Sequence, residues 1–239
     1  MQPLLDFPFM WEAVPDLLRV VPVTLQITAV SLVLALLLGL ATALVRIYRA
    51  PVLSQLAALY VSFIRGTPLL VQIYLSYYGL PKVLNWLAER YGWTGLDVNG
   101  IPAIAFIYFA FTINVGAYSS ETIRASILAV DKGQLEAALS IGMTPWQGMK
   151  RIVLPQALAV ALPSFGNTAI SLLKDTSLAF LISVVDLMGE AKIVGARGLQ
   201  FFEVYIVVAL FYWVICIVIE RGVAALEKRV RRFEGAQPA

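Results

Sequence analysis

The chain has 239 residues, 60% of them hydrophobic and 14% charged, with a mean hydropathy of +0.81 and a formal net charge of +3. A soluble domain of this size carries about 25% charged residues, so the deficit excludes an ordinary soluble domain and points to an integral membrane protein. There is no His, and Cys216 is the single cysteine; the usual general base, an intrachain disulfide and a cysteine zinc cluster are thereby excluded.

Residues 1–239 read as one transmembrane domain. Residues 1–18 mix Phe7, Phe9 and Trp11 with Asp6, Glu12 and Asp16. They are too short and too charged to span, and are expected to lie as a helix on the outer surface. Their acidity is the reverse of a signal peptide's basic start, so no cleaved leader is expected. Residues 20–46 hold a charge-free run between Arg19 and Arg46. As a helix that run is roughly 39 Å long, enough to cross an about 30 Å hydrocarbon core with tilt. A second span is expected over 52–78, interrupted by Arg65-Gly66-Thr67-Pro68. Residues 79–100 read as a loop whose Trp86 and Trp93 suit a membrane interface. A third span is expected over 101–118, followed by a polar loop over 119–151. Residues 152–185 read as one irregular fourth span, broken by Pro155, Pro163, Gly166-Asn167 and Lys174-Asp175. A mixed loop over 186–200, a fifth span over 202–220 with Cys216 in its apolar run, and a basic tail over 221–239 complete an all-α membrane protein of about five transmembrane helices.

The basic residues set orientation. Arg46, Arg49, those of 119–151 and those of the tail outnumber Arg19, Lys82, Arg90, Lys192 and Arg197. The richer side is expected to be cytoplasmic, which places the N-terminus outside and the C-terminus inside. An odd number of crossings, with no clear internal repeat, argues against an inverted repeat within the chain.

The loop over 119–151 carries two helix starts. Asp131-Lys-Gly-Gln134 and Thr144-Pro-Trp-Gln147 each place a capping side chain three residues before a Gln, the second with Pro145 at the first helical position. Gly142 fits a helix C-cap between them. The expected product is a helix over about 132–141, a sharp turn, and a short helix over about 145–152. Ala137 and Ala138 make one face small, and Met143 and Trp146 flank the turn. Such an elbow is either a docking lever for a partner or a hairpin shielding the membrane base; spacing alone leaves both open.

The segment Glu136-Ala-Ala, with Gly142 six residues on and Leu154-Pro155 at the end, resembles the cytoplasmic "EAA" loop of ABC-importer permeases. Phe63-Ile-Arg-Gly-Thr-Pro-Leu-Leu-Val-Gln72, Glu121-Thr-Ile-Arg-Ala-Ser-Ile and Leu172-Leu-Lys-Asp-Thr-Ser-Leu-Ala are similar to polar amino-acid uptake permeases, and in the same order. Asp186-Leu-Met-Gly-Glu-Ala-Lys-Ile-Val-Gly-Ala-Arg-Gly198 and the tail Leu226-Glu-Lys-Arg-Val-Arg-Arg232 look most like L-cystine permeases. The resemblance implies a type I ABC importer permease fold in a bacterial inner membrane, with the elbow as coupling helix. It implies that Glu136, Ala137, Gly142, Met143, Thr144, Pro145 and Trp146 meet a nucleotide-binding ATPase subunit, where ATP and Mg are used. It implies an extracytoplasmic solute-binding protein and a second permease copy, identical or homologous, as further partners. The chain itself is expected to bind no cofactor and no nucleic acid. The loop over 186–200 is a candidate receptor face or outer gate, which Gly189, Gly195 and Gly198 would make flexible; a plain connector is equally open.

Charged groups inside spans are costly unless paired or facing water. Arg65 and Asp175 therefore mark an interior pathway, although Arg65 could equally pin the fold by pairing with Asp175 or with backbone carbonyls; Lys174 can snorkel. A zwitterionic substrate needs an anion for its α-ammonium, which Asp175 offers, and a cation or amide donors for its α-carboxylate. Asn167, Thr168, Ser171, Thr67 and Gln72 offer neutral hydrogen bonds, as do Asn114 and Tyr118, for which helix packing is the rival role. In relatives that carry cationic amino acids an acidic residue can follow the Gly-Asn pair; here Thr168 follows Gly166-Asn167, which favours a neutral or multiply zwitterionic substrate such as cystine. Neither a phosphate-binding P-loop nor a G-x-S-x-G or H-E-x-x-H motif occurs. The chain is thus expected to be no enzyme, with ATP hydrolysis in a separate subunit. An ion-coupled secondary transporter using Asp175 as carrier is the rival class.

Overall fold

The computed structural model describes residues 5–92, 97, 98 and 100–234; Trp93 and Asn99 lie outside them. Helix α1, Phe7–Ile47, is capped by Asp6, whose side chain accepts from the Phe9 N–H. It ends at Ile47, and Arg49, whose φ is 50°, turns the chain away just before Pro51. At 1.5 Å per residue α1 is about 60 Å long, twice the hydrocarbon thickness. Among the described residues the expected separate surface helix over 1–18 is therefore absent. Residues 7–18 are the first part of α1, held there by burial of Ala13 and Leu17. Asp6 accepts from Gln200 Nε2 and Asp16 from Arg197 Nη1, so these acids are tied to later elements.

The second span is two helices. α2, Leu53–Arg65, and α3, Leu69–Tyr74, meet at a bend of 112° around Gly66–Pro68. α3 runs through a π-helical turn, Leu75–Gly79, into α4, Leu80–Tyr91. Most of the expected loop over 79–100 is thus helix, with Pro81 placed directly after the π-helical turn.

α5, Ala103–Ala129, overruns the expected end of the third span by more than ten residues. Its polar end is neutralised across the fold. Glu121 accepts from Arg46 of α1 through one carboxylate oxygen and from Arg124 through the other. α5 is the centre of the bundle: 56% of its most apolar stretch is buried within the chain. Its main partner is α1, whose buried Thr24, Thr28, Ser31, Ala35, Gly39 and Thr42 recur every three or four residues as a face of small side chains. Small residues let helices in a membrane approach closely, where packing rather than hydrophobicity drives association. A Cβ on Gly39 would lie 3.0 Å from Ser119 Cβ and 3.1 Å from both the Gly116 oxygen and the Ser120 nitrogen. Gly39→Leu is therefore expected to cost about 1–3 kcal/mol by overpacking, read as a lower unfolding midpoint of the purified protein in detergent.

After the elbow helices α6, Lys132–Ser140, and α7, Pro145–Gly148, a π-helical turn, Met149–Val153, leads into α8, Leu154–Asp175. α8 tightens into a 3₁₀ segment, Thr176–Ile182, at the Lys174-Asp175 pair. The expected mixed loop over 186–200 is largely helix α9, Leu187–Gly198. Its glycines serve close packing rather than a flexible gate. A Cβ would come within 2.8 Å of Phe180 at Gly189, of Phe201 at Gly195 and of Phe9 at Gly198. α10, Phe201–Glu234, carries the fifth span and continues through much of the tail. Only 17% of its most apolar stretch is buried within the chain, which makes it peripheral. Among the described residues four helices are long and apolar enough to cross a membrane, and the bent α2–α4 run, taken as one span, makes a fifth.

Candidate functional site

The break in the second span builds one wall of the site. Pro68 has no N–H to give, so the helix stops, and the carbonyls of Ile64 and Thr67 need other donors. Buried Gln72 supplies them. Its Nε2 lies 2.8 Å from Ile64 O, 3.1 Å from Thr67 O and 2.9 Å from Thr67 Oγ1. Asn114 of α5 donates to Gln72 Oε1 at 2.9 Å, which fixes the break against the central helix. Irregular backbone at membrane depth persists only where it is buried in protein or lines a cavity; here it does both.

The second wall is a polar face of α8. Asn167, Thr168, Ser171 and Asp175 fall about one turn apart, as the helical repeat requires. The Thr168 hydroxyl donates to Ser164 O at 2.9 Å, leaving its oxygen free to accept.

A cavity of about 540 Å³ lies between these walls. Thr67, Pro68 and Leu69 of the break line it, with Asn114, Val115 and Tyr118 of α5, Asn167, Thr168, Ser171, Leu172 and Asp175 of α8, and Leu178 beyond. Its volume lies in the range of small-molecule sites. Asp175 is the charged group among these lining residues. Within the described residues it has no hydrogen-bond or ion-pair partner.

Two of the expected ligands are elsewhere. Gln72 is spent on the backbone of the break and does not line the cavity. Arg65, the last residue of α2, does not line this cavity but a second one that Tyr118 also lines, with its guanidinium carbon 5.5 Å from the Tyr118 ring centroid. No Arg65–Asp175 ion pair occurs among the described residues. Lys174 turns away from this cavity into a separate recess with Ser177, Met188, Tyr205 and Tyr212. The apolar walls Leu69, Val115, Leu172 and Leu178 gave no signal in the sequence, being leucine and valine within apolar spans.

A second polar centre escaped the sequence reading. Asp186 is fully buried. It caps α9 by accepting from Gly189 N at 2.9 Å, and accepts from Tyr212 Oη of α10 at 3.2 Å. Thr24 of α1 accepts from the Leu187 N–H beside it at 3.0 Å. Burial pushes the Asp186 carboxyl above the ordinary aspartate value of 3.8, against the opposing pull of the Gly189 and Met188 N–H groups and the Tyr212 and Thr176 hydroxyls. Thr176 has one hydroxyl hydrogen, and Leu173 O at 2.8 Å is nearer than Asp186 Oδ2 at 3.3 Å. A protonated Asp186 can donate to that hydroxyl instead. The sign for stability follows from the raised value. Below about 3.8 both folded and unfolded chains hold the proton; as pH rises the unfolded chain ionises first, so this group subtracts stability. The stability of Asp186→Asn relative to the parent is expected to improve as pH rises from about 4 toward neutrality, read by unfolding midpoints in detergent across that range.

The elbow forms largely as its caps require. Asp131 caps α6 through the Gly133 N–H at 2.6 Å; the expected reciprocal bond with Gln134 does not form, and Gln134 N instead joins the Asp131 carbonyl. Gly142 has φ +87°, and the bonds Gly142 N→Leu139 O and Met143 N→Ala138 O close the helix as a Schellman motif. Thr144 and Gln147 form the full capping box. Ala138 is buried against Gly148 rather than offered to a partner, because the two legs of the elbow close on it. Leu135 and Met149 anchor the elbow to Ile47 of α1 and to Ile123 and Ile127 of α5. Glu136, Ala137, Gly142, Thr144 and Pro145 are exposed, Met143 is half-buried, and Ile141 (76%) and Trp146 (66%) stand out as large apolar side chains in the open.

Comparison with known proteins gives the family. Residues 27–232 match the family described as "binding-protein-dependent transport system inner membrane component". The probable amino-acid ABC transporter permease protein PatM of Vibrio harveyi is 41% identical over 90% of this chain and 92% of its own length. The L-cystine transport system permease protein TcyL of Bacillus subtilis (strain 168) is 39% identical over 97% of this chain and 94% of its own. Among solved structures, a chain of an amino acid ABC transporter crystallised with histidines superposes with a TM-score of 0.80 at 34% identity, covering 95% of this chain and all of that one. The chain therefore belongs to the binding-protein-dependent transport system inner membrane components, the permease subunits of type I ABC importers.

Proposed function

We propose that this chain forms the translocation pathway of an ATP-driven importer for a polar, zwitterionic amino acid, with L-cystine as its substrate. One observation carries the reading: Asp175, a carboxylate without a hydrogen-bond or ion-pair partner among the described residues, faces a cavity otherwise lined by neutral hydrogen-bonding and apolar side chains. Asp175 takes the α-ammonium. The Asn167 and Asn114 amides and the Ser171 and Tyr118 hydroxyls donate to the α-carboxylate, while the Thr67 and Thr168 oxygens, whose hydrogens go to Phe63 O and Ser164 O, accept from the substrate's N–H groups. A strongly cationic side chain would find no second carboxylate there, which favours cystine over arginine. The names of relatives such as TcyL support the same choice.

The Asn167–Ser171 face of α8 is open at the surface of the chain, so a second permease, identical or homologous, closes the pathway. The exposed Trp146 and Ile141 of the elbow are the contact for a nucleotide-binding ATPase subunit, which supplies ATP and Mg chemistry that this chain lacks. An extracytoplasmic solute-binding protein delivers the amino acid. The N-terminus is outside, and the elbow and C-terminus are in the cytosol of a bacterial cell. Closure of the ATPase pair moves the elbows, and the rigid link from Leu135 and Met149 to α1 and α5 passes that motion to the site. Substrate biases this cycle only by binding the two states unequally.

The test is uptake of labelled L-cystine by the reconstituted importer, with arginine, glutamine and histidine as competitors. Cystine is expected to compete best. Arginine as the strongest competitor overturns the substrate assignment.

A further inference from the structure

Tyr118 belongs to two cavities. Besides the Asp175 cavity it lines a second space of about 490 Å³ with Arg46, Ser62, Arg65, Gly66 and Glu121. This second space lies toward the elbow end of the bundle: Arg46 precedes Ile47, which packs on the same buried cluster as Leu135 and Met149 of the elbow. The charges here are unequal in their freedom. Glu121 is held by Arg46 through one oxygen and by Arg124 through the other, the latter at 2.9 Å and 3.2 Å. Arg65 has no hydrogen bond or ion pair among the described residues; its guanidinium rests over the Tyr118 ring. Its guanidinium is thus not tied to any carboxylate or carbonyl among the described residues, in contrast to Arg46 and Arg124.

We propose that the second cavity is an exit-side station for the amino acid's α-carboxylate, with Arg65 as receptor and Tyr118 as the partition between the stations. This rests on reading the first cavity as the substrate site. A guanidinium over a ring at an exposed position is held more weakly than one paired in bidentate fashion with a carboxylate. A carboxylate arriving from the Asp175 side therefore displaces the ring from Arg65, and the ring moves out of the passage. The chemistry also explains why a cation stands at this depth yet outside the first cavity. There it would pair with Asp175 and remove the anion the α-ammonium needs; beyond Tyr118 it is kept from Asp175 and draws the substrate onward.

The test uses the complete importer in inside-out vesicles, with Cys216→Ser removing the native thiol. Ser171→Cys reports on the first cavity and Ser62→Cys on the second, each by its rate of modification with an impermeant trimethylammonium methanethiosulfonate. Tyr118→Ala is expected to speed Ser171→Cys modification about tenfold or more, as removal of a gate does, while Ser62→Cys changes little. That arm needs no substrate. In the second arm, saturating L-cystine, or whichever of glutamine, histidine and arginine best protects Ser171→Cys, slows Ser62→Cys modification when Arg65 is present. The protection is lost in Arg65→Gln and partly kept in Arg65→Lys, which retains the charge without the planar fork. An unchanged Ser171→Cys rate in Tyr118→Ala overturns the partition. Protection of Ser62→Cys that is absent with Arg65 present, or that survives Arg65→Gln, overturns the receptor. Failure of the substrate-site reading itself looks different: no amino acid protects Ser171→Cys.

Discussion

Asp175→Asn is expected to lower uptake by the reconstituted importer roughly 10- to 100-fold while leaving the thermal stability of the chain unchanged or higher. The first half follows from the substrate. A charge-assisted hydrogen bond contributes about 1.5–3 kcal/mol net, and each 1.4 kcal/mol is about a factor of ten. An α-ammonium brought out of water into the cavity loses that partner when the carboxylate becomes an amide. The second half follows from the fold. Asp175 has no hydrogen bond or ion pair among the described residues, and it is half-buried at the end of α8. Its charge costs desolvation that no hydrogen bond or ion pair among the described residues repays, the neighbouring Lys174 charge offsetting part of it. A group that destabilises its own protein yet is needed for activity is the signature of a binding residue. Asp175→Glu should recover part of the uptake, since charge is kept and only reach changes. A large loss of stability in Asp175→Asn, with uptake falling in step, would instead make Asp175 a structural residue and remove the foundation of the proposed site.

The parts of this fold that were legible in the sequence are those encoded by local physics. The charge-free run before Arg46 had to be a span, and Thr144-Pro-Trp-Gln147 had to start a helix, because the hydrogen bonds involved lie within four residues of each other. Gly142 showed itself for the same reason: its positive φ is a requirement of the turn it occupies. What stayed hidden depends on pairing across the chain. Glu121 and Arg124 look like loop residues until Arg46, 75 positions earlier, is seen against them. Asp6 and Asp16 look solvated until Gln200 and Arg197 arrive from the far end of the sequence. The glycines of α9 look like hinges, although Phe180, Phe201 and Phe9 occupy the space a side chain would take.

The candidate site divides along the same line. The polar face of α8 could be counted off at helical spacing, and the proline break announced itself. The direction in which that break sends its side chains could not be counted. A 112° bend between α2 and α3 puts Arg65 in one cavity that Tyr118 lines and Thr67, two residues away, in another. Gln72 has the right chemistry for a ligand, and it is consumed by the carbonyls that Pro68 leaves without donors.

Trp146→Ala is the second substitution with a large expected effect, and its physics is the converse of Asp175. Trp146 is 66% exposed in the chain, next to the turn at Gly142, on an elbow whose own legs are closed by Ala138, Leu135 and Gly148. Truncating it removes no packing from the permease, so its folding should be unaffected. An exposed tryptophan on a rigid, capped element is the kind of anchor whose loss costs an interface about 2–4 kcal/mol, or roughly 30- to 1000-fold in affinity. The ATPase subunit is therefore expected to wash away from Trp146→Ala during purification, or to need far higher concentrations to restore uptake. Gly142→Val separates affinity from leverage. The left-handed backbone at Gly142 disfavours a side chain by about 1–2 kcal/mol, which loosens the angle between the legs while leaving Trp146 in place. That variant is expected to retain the ATPase subunit but transport less per ATP hydrolysed. If Trp146→Ala keeps the subunit at wild-type affinity, the exposed face of the elbow is not the docking surface. The link through Leu135 and Met149 to α1 and α5 then has no engine attached to it.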